Sequence, residues 1–231
     1  MEEFTINGKS VMVLSKKEVD SEIAKAALDH READFSGKTI KGVSLAEKDM
    51  EHGINLSNAM VCGNIFLANA TIGSTVNLAN SVIDGSFFFG NGKLLGDLIM
   101  EKTWIGQTIN MAGANITGSL RFGEMRVNGF ISLDRAVILG NVDFTHVQSH
   151  DSCHGNLKIK GDIFLKNAQI NGSLNLNDVL CGGGVDLENA LIRRALTAKN
   201  LHVENHLLLK ETIYEKQSAD FSGIPPEKIL R

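Results

Sequence analysis

Proline is nearly missing from this chain: there are two in 231 residues, side by side at positions 225 and 226. Nearly every backbone N–H is therefore free to enter a hydrogen-bond ladder, which proline would interrupt. Cysteine is scarce too. Three cysteines, an odd number without framework spacing, exclude a disulfide-stapled fold and suit a reducing compartment. No apolar run approaches the ~18 residues of a transmembrane helix. The first ten residues, MEEFTINGKS, lack the basic-then-apolar order of a secretory leader, so a cytoplasmic protein is expected. Excess positive charge is also lacking. Lys and Arg number 23 against 27 Asp and Glu, for a net charge of -4, which argues against direct nucleic-acid binding. Wholesale disorder is excluded as well, because 43% of the residues are hydrophobic and only 22% are charged.

What the chain does have is a repeat. Glycines fall at 63, 73, 85, 96, 106, 118, 129 and 140, then at 161, 172 and 183, in steps of about 11. Each unit holds two apolar-x-apolar triplets. In GSLNLNDVLCG these are Leu174-x-Leu176 and Val179-x-Cys181. A three-residue alternation reads as a short strand with one face inward, and the polar or glycine residues between triplets read as corners.

The last inward residue of successive triplets advances by 6, 5, 6, 5. Four triplets therefore make one circuit of about 22 residues. Sorted by circuit, the triplets form four columns. The first runs Leu45, Leu67, Phe89, Met111, Leu133, His154, Leu176, Ala198. The second runs Met50, Ile72, Leu94 or Leu95, Ile116, Ile138, Ile159, Cys181, Val203. The third runs Phe35, Leu56, Leu78, Met100, Phe122, Phe144, Leu165, Leu187, Leu209. The fourth runs Ile40, Val61, Ile83, Ile105, Val127, Ser149, Ile170, Ile192, Tyr214. Nearly all entries are apolar. The pattern predicts an all-β parallel β-helix with four short faces per coil, stabilised by stacking of neighbouring coils. Asn58, Asn69, Asn80, Asn91, Asn167, Asn189 and Asn200 sit before the shorter triplets. Asparagine and glycine are expected at corners for their tolerance of left-handed or bridging dihedrals.

Two segments, Ala33-Asp34-Phe35-Ser36-Gly37 and Ala219-Asp220-Phe221-Ser222-Gly223, match the A(D/N)LXX unit, and here the chain resembles the pentapeptide-repeat family. The resemblance covers roughly residues 33 to 223 and implies a right-handed quadrilateral β-helix. Half of the faces depart from it by expanding to six residues. On those faces the first inward residue is large: Ile65, Val76, Phe87, Leu98, Ile109, Leu120, Ile131, Val142, Ile163 and Leu174. The five-residue faces keep a small residue at Ala59, Ala70, Ser81, Ala114, Ala136, Ala168 and Ala190. A wider, more rectangular core than the square family form is expected. The left-handed hexapeptide helix is disfavoured, since it needs a steady period near six.

Three stretches follow: residues 1–32 as a hairpin and capping helix, 33–223 as the β-helix, and 224–231 as a tail or short cap. Phe4-Thr5-Ile6 and Val11–Leu14 flank Asn7-Gly8, a two-residue hairpin signal. Ser15 with Glu18 is a capping box, and Val19, Ile23, Ala24 and Ala27 lie at helical spacing up to about Asp29. Pro225-Pro226 can open a short helical turn.

No catalytic signature stands out, and neither enzyme activity nor a cofactor is expected. His146, His150, Asp151, Cys153 and His154 are the densest reactive group, but their spacing fits no closed zinc pattern. Adjacent Cys153 and His154 would point to opposite sides of an extended segment, so the group reads as an irregular loop. A ligand- or metal-binding β-helix centred on residues 146–154 remains an alternative. Cys181 reads as a buried inert thiol and Cys62 as more exposed. Gly182-Gly183-Gly184 lacks the Lys-Ser/Thr and helix of a phosphate loop and reads as a corner.

Outward-facing residues carry more information. The fourth face reads Thr39, Met60, Val82, Trp104, Arg126, Gln148, Gln169, Leu191, Ile213, and the first reads Ser44, Phe66, Phe88, Asn110, Ser132. Met60, Val82 and Trp104 should form one column beside Phe66 and Phe88, a contact surface for a protein partner or a homodimer. The leading expectation is a non-catalytic scaffold acting through protein–protein contact. The family resemblance implies a second reading, a DNA-mimicking protein that engages a topoisomerase. That needs a coherent anionic face, whereas the third face is mixed: Asp34, Asn55, Asn77, Ile99, Arg121, Asp143.

Overall fold

A computed structural model describes residues 2–6, 9–149 and 161–231. Nearly all of the regular structure is two-residue strands stacked in parallel into four sheets of ten, seven, eight and nine strands. Along the chain, Ala33–Asp34 starts the third face, Thr39–Ile40 the fourth, Val43–Ser44 the first and Asp49–Met50 the second. Ile54–Asn55 then returns to the third face, against Ala33–Asp34. The register repeats once per coil, Val76 pairing with Leu98 and Leu98 with Leu120. The fold is thus a parallel β-solenoid.

The ladder has a direction on each face. On the six-residue faces, N–H groups donate forward to the next coil, as in Leu56 N to Asn77 O at 2.7 Å. On the five-residue faces they donate backward, as in Met60 N to Lys38 O at 2.9 Å. The core is the set of inward columns. Leu78, Met100, Phe122 and Phe144 are fully buried one above another, and the last two rings are centred 5.0 Å apart. The large first inward residues expected on the six-residue faces, from Ile65 to Leu174, are all buried, as are the small ones on the five-residue faces. The buried hydroxyls of Ser81 and Thr103 both donate to Leu78 O, each at 2.6 Å, so neither is left unsatisfied in the dry interior.

Two kinds of corner alternate. After each six-residue face the chain passes through the left-handed region. Asn58, Asn69, Asn80, Asn91, Asn167, Asn189 and Asn200 have φ between 53° and 58°, as their spacing predicts. His146 and Asp178 also adopt it, and Lys102, Glu124, Arg135 and Glu211 hold it without asparagine's tolerance. The outward residue before the corner often supports it. Asn55, Asn77, Asn110, Asp143, Asn175 and Asp186 each accept the N–H two residues on, forming Asx turns.

The other corners correct the dihedral explanation for glycine. Gly96, Gly118, Gly140 and Gly172 do not have positive φ. They are glycine because the coils touch there. A Cβ on Gly118 would lie 2.4 Å from Gly96 O, one on Gly140 2.5 Å from Gly118 O, and one on Gly172 2.4 Å from Gly140 O.

The largest correction concerns column order after residue 149. Ile131 pairs with Ile163, Val137 with Gln169, Val142 with Leu174 and Gln148 with Leu180. In each pair the partner stands ten positions further along the chain than the usual period would place it, so one coil carries an insertion of that length. It falls between the described residues Ser149 and Gly161, at the corner from the fourth face to the first. Leu165, Leu187 and Leu209 therefore continue the first column, not the third; Leu176 and Ala198 continue the third. Ile170 and Ile192 belong to the second column, Cys181 and Val203 to the fourth. Ile213 bridges to Leu191, so Tyr214 also follows the second column. On the fourth face, Leu180 and His202 follow Gln148 in the ladder, in place of Gln169, Leu191 and Ile213.

The first residues join the rod. Glu2–Ile6 and Lys9–Leu14 form the antiparallel hairpin; its Asn7-Gly8 turn lies outside the described residues. Leu14 pairs with Ile40, so the hairpin extends the fourth sheet. Helix α1, Lys16–Leu28, starts at the predicted Ser15/Glu18 capping box. Val19, Ile23 and Ala26 are its buried face against the first coil, while Ala24 and Ala27 are exposed. The buried stripe thus follows i, i+4, i+7. At the other end, Pro226–Lys228 forms one 3₁₀ turn and Ile229–Leu230 pairs with Leu207–Leu208.

Two substitutions separate the corner types. Gly140→Ala is expected to lower stability by about 1–3 kcal/mol, because the clash is with backbone that the ladder fixes. Arg135→Gly, at φ 58° on an exposed corner, is expected to raise it by about 0.5–1 kcal/mol through relief of left-handed strain. Urea unfolding midpoints check both signs.

Candidate functional site

The fourth face and the adjoining first face carry the predicted surface residues in register. Met60 pairs with Val82 and Val82 with Trp104. Phe66 pairs with Phe88, and their rings stack with centroids 5.1 Å apart and planes 4° apart. Val82 and Phe66 are each 40% exposed; Met60, Phe88 and Trp104 are half-buried or more. Three corner residues separate the columns within a coil, Cys62 to Asn64 in one and Asp84 to Ser86 in the next. The Trp104 indole leans toward that corner side. Its Cη2 lies 3.1 Å from where a Gly106 Cβ would stand, so glycine there leaves room for the ring. An outward aromatic stack contributes about 0.5–1.5 kcal/mol through ring geometry, yet it leaves apolar area in water.

The patch has a charged rim. Arg126 pairs below Trp104. A cleft of about 120 Å³ beside Phe66 is lined by Lys16, Lys41 and Asn64. Cys62, at the corner between the columns, is half-buried, and burial first, then the charge of Asp84, pushes its thiol up.

Other candidates are placed as follows. A cleft of about 450 Å³, open and polar, lies on the third face around Arg121, Asn141, Asp143 and Asn175. Its groups are engaged with one another: Arg121 pairs with Asp97 at 3.1 Å, Asp143 accepts from Thr145, and Asn175 donates to Thr145. The third face presents Asp34, Asn55, Asn77, Ile99, Arg121 and Asp143 in sequence, so its charge is mixed. His146 is an exposed left-handed corner residue with Nδ1 4.0 Å from Asp178 Oδ2. His150, Asp151, Cys153 and His154 lie outside the described residues. Gly182-Gly183-Gly184 forms a corner, where Gly184 N donates to Asp162 Oδ1 at 2.7 Å. That N–H faces a carboxylate rather than open space for a phosphate.

Among the described residues, no histidine is hydrogen-bonded to a serine, threonine or cysteine. One metal-capable trio does converge: His30, Glu51 and His52. The sequence reading passed over it. The available signal was the period itself, since His30 and His52 are separated by one coil's length of chain.

Cys181 lies on the fourth face with 1% exposure, and Sγ donates to Gly161 O at 3.0 Å. Burial pushes its thiol up to about 12. Because the thiolate is the reactive form, iodoacetamide at pH 8 is expected to alkylate Cys62 in the native chain well before Cys181. Urea should make both react; peptide mapping against time checks the order, and equal native rates would contradict the packing.

No described helix is long and apolar enough to cross a membrane. No family model, curated protein or solved structure matches this chain. Its own strand pairing defines it as a parallel β-solenoid, compatible with a repeat β-helix family.

Proposed function

We propose that this chain is a divergent pentapeptide-repeat scaffold, cytoplasmic and non-catalytic, that works by protein–protein contact. The observation that carries the reading is the in-register Met60–Val82–Trp104 column beside the Phe66–Phe88 stack. Elsewhere the outward positions of the fourth face are mostly polar, with Thr39, Arg126 and His202 among them. The two apolar columns flank one corner of the rod, and outward apolar residues gathered in this way mark contact surfaces. Tryptophan is among the side chains most enriched where binding energy concentrates.

The occupant that fits best is a second copy of the chain. The patch is a ladder with one rung per coil, at about 4.8 Å spacing. Another copy carries rungs at the same interval, so two ladders can interlock without strain in an isologous pair. The rim carries both signs of charge, Lys41 and Asp84 beside Cys62, which suits facing copies related by a two-fold axis. A heterologous protein partner is the other outcome of the same test.

Sedimentation velocity over a concentration series, with Trp104→Asp and Phe66→Ser as variants, tests this. The native chain is expected to dimerise and each variant to need at least about tenfold higher concentration, the effect of ~1.4 kcal/mol at a hot spot. A native monomer whose partner capture is lost in both variants would replace the second copy by a different protein. Unchanged association and unchanged capture in both variants would remove the patch from the argument.

A further inference from the structure

Helix α1 is followed by Asp29 as its C-cap and then His30, which turns through the left-handed region at φ 50° toward the rod. The next coil's corner into Ile54–Asn55 carries Glu51 and His52, and that strand pairs with Ala33–Asp34 just after His30. The coil period thus brings the end of the capping helix against the first full corner. There the donor atoms of His30, Glu51 and His52 all lie within 4.8 Å of one another. His30 Nδ1 is 3.2 Å from Glu51 Oε2. The two imidazoles meet edge to face, with centroids 6.2 Å apart and planes 83° apart.

A second observation is independent of this convergence. Nε2 of His52 is buried and has no hydrogen-bond partner, the only such side-chain atom found among the described residues. Buried polar atoms are paired as a rule, so an orphan calls for a missing partner, and a bound ion is one of the few kinds available. The position adds a third reason. The C-terminal end of a helix carries partial negative charge from its free carbonyls and favours a cation.

We propose that His30, Glu51 and His52 bind one divalent transition-metal cation of the zinc type, clamping the end of the capping helix to the first coil. Two imidazole nitrogens and one carboxylate oxygen are a zinc donor set; calcium and magnesium prefer all-oxygen sites. Two ligands about 2.0–2.1 Å from a tetrahedral ion stand roughly 3.4 Å apart, and the His30–Glu51 pair already meets this. The His30 and Glu51 side chains are 75% and 73% exposed, so they can rotate to close the third edge while water takes the fourth position. The ion's role is structural, adding coordinate bonds to the His30–Glu51 contact that already links the end of the capping helix to the first coil.

Isothermal titration of the full chain with zinc chloride tests the site. Four proteins are compared: native, Glu51→Gln, His52→Ala, and a His150→Ala/Cys153→Ser/His154→Ala triple variant that removes the other clustered histidine and cysteine donors. One equivalent should persist in the triple variant and weaken at least about tenfold in each of the other two. The native melting temperature should rise with zinc and that of Glu51→Gln should not, a readout that holds even if His52→Ala folds poorly. Absence of any zinc binding by the native chain, loss of all binding in the triple variant, or an unchanged isotherm for Glu51→Gln would overturn the proposal.

Discussion

Everything in this molecule answers to one constraint, the hydrogen-bond ladder that each coil must make with the coils on either side. Two-residue strands cannot stand alone; an isolated pair has too few bonds and too little buried surface to offset the entropy of ordering it. Stacked seven to ten deep, each strand gains partners on both sides, and its inward residue gains a dry neighbour above and below. Proline's near-absence follows, because a ladder position without an N–H leaves a carbonyl unpaired. So do the glycines at 96, 118, 140 and 172, where the ladder draws corners so close that a Cβ would enter the backbone of the previous coil.

The same constraint explains how the rod absorbs an insertion. The described chain ends at Ser149 on the fourth face and resumes at Gly161, just before the first-face strand Ile163–Phe164. Every face then pairs across the gap with one common offset and the ordinary register. An insertion within a strand would break a ladder and misplace an inward residue. At a corner it costs only loop entropy, which grows slowly with length. Corners are therefore where such a rod can accept new sequence.

The period, the apolar columns, the asparagine corners and the Ser15/Glu18 cap were legible because each rests on a local rule that stacking repeats many times. Column identity after residue 149 was not legible, for a definite reason. Counting on at the regular period carries the fourth column from Ser149 to Ile170, whereas the ladder carries it from Ser149 to Cys181. The two destinations lie half a coil apart, and half a coil maps one five-residue face onto the other. Both carry a small or medium inward residue and an apolar partner, as in Ala168-x-Ile170 and Val179-x-Cys181. Only pairing partners distinguish them. The reason for glycine at the second kind of corner was hidden likewise, because close approach between coils depends on residues a full turn away in the chain. The surface columns were legible, since they lie before the insertion where the count is secure. The His30–Glu51–His52 convergence carried a signal, the one-coil spacing of His30 and His52, but it sits at corner and helix-end positions that the inward columns do not track.

Inward positions are fixed by packing and corner positions by backbone geometry, which leaves three places where such a chain can encode anything besides its own stability. These are the outward middle residue of each strand, the corner insertion and the caps. The three are not equally free. An outward residue sits directly over its counterpart in the next coil, so its choice is judged against the neighbours one period away. Polar outward residues satisfy that test cheaply: the Thr197 hydroxyl donates to Asn175 Oδ1, its ladder partner one coil back. Phe66 over Phe88 satisfies it by stacking, but at the expense of apolar area in water that stability alone would not select. The same argument applies at the coil corner under the cap, where Nε2 of His52 is buried without a partner although polar neighbours abound in the repeat. Where the buried side-chain groups of the described repeat are otherwise satisfied, positions that decline the available local solution are those whose residues answer to something outside the coil.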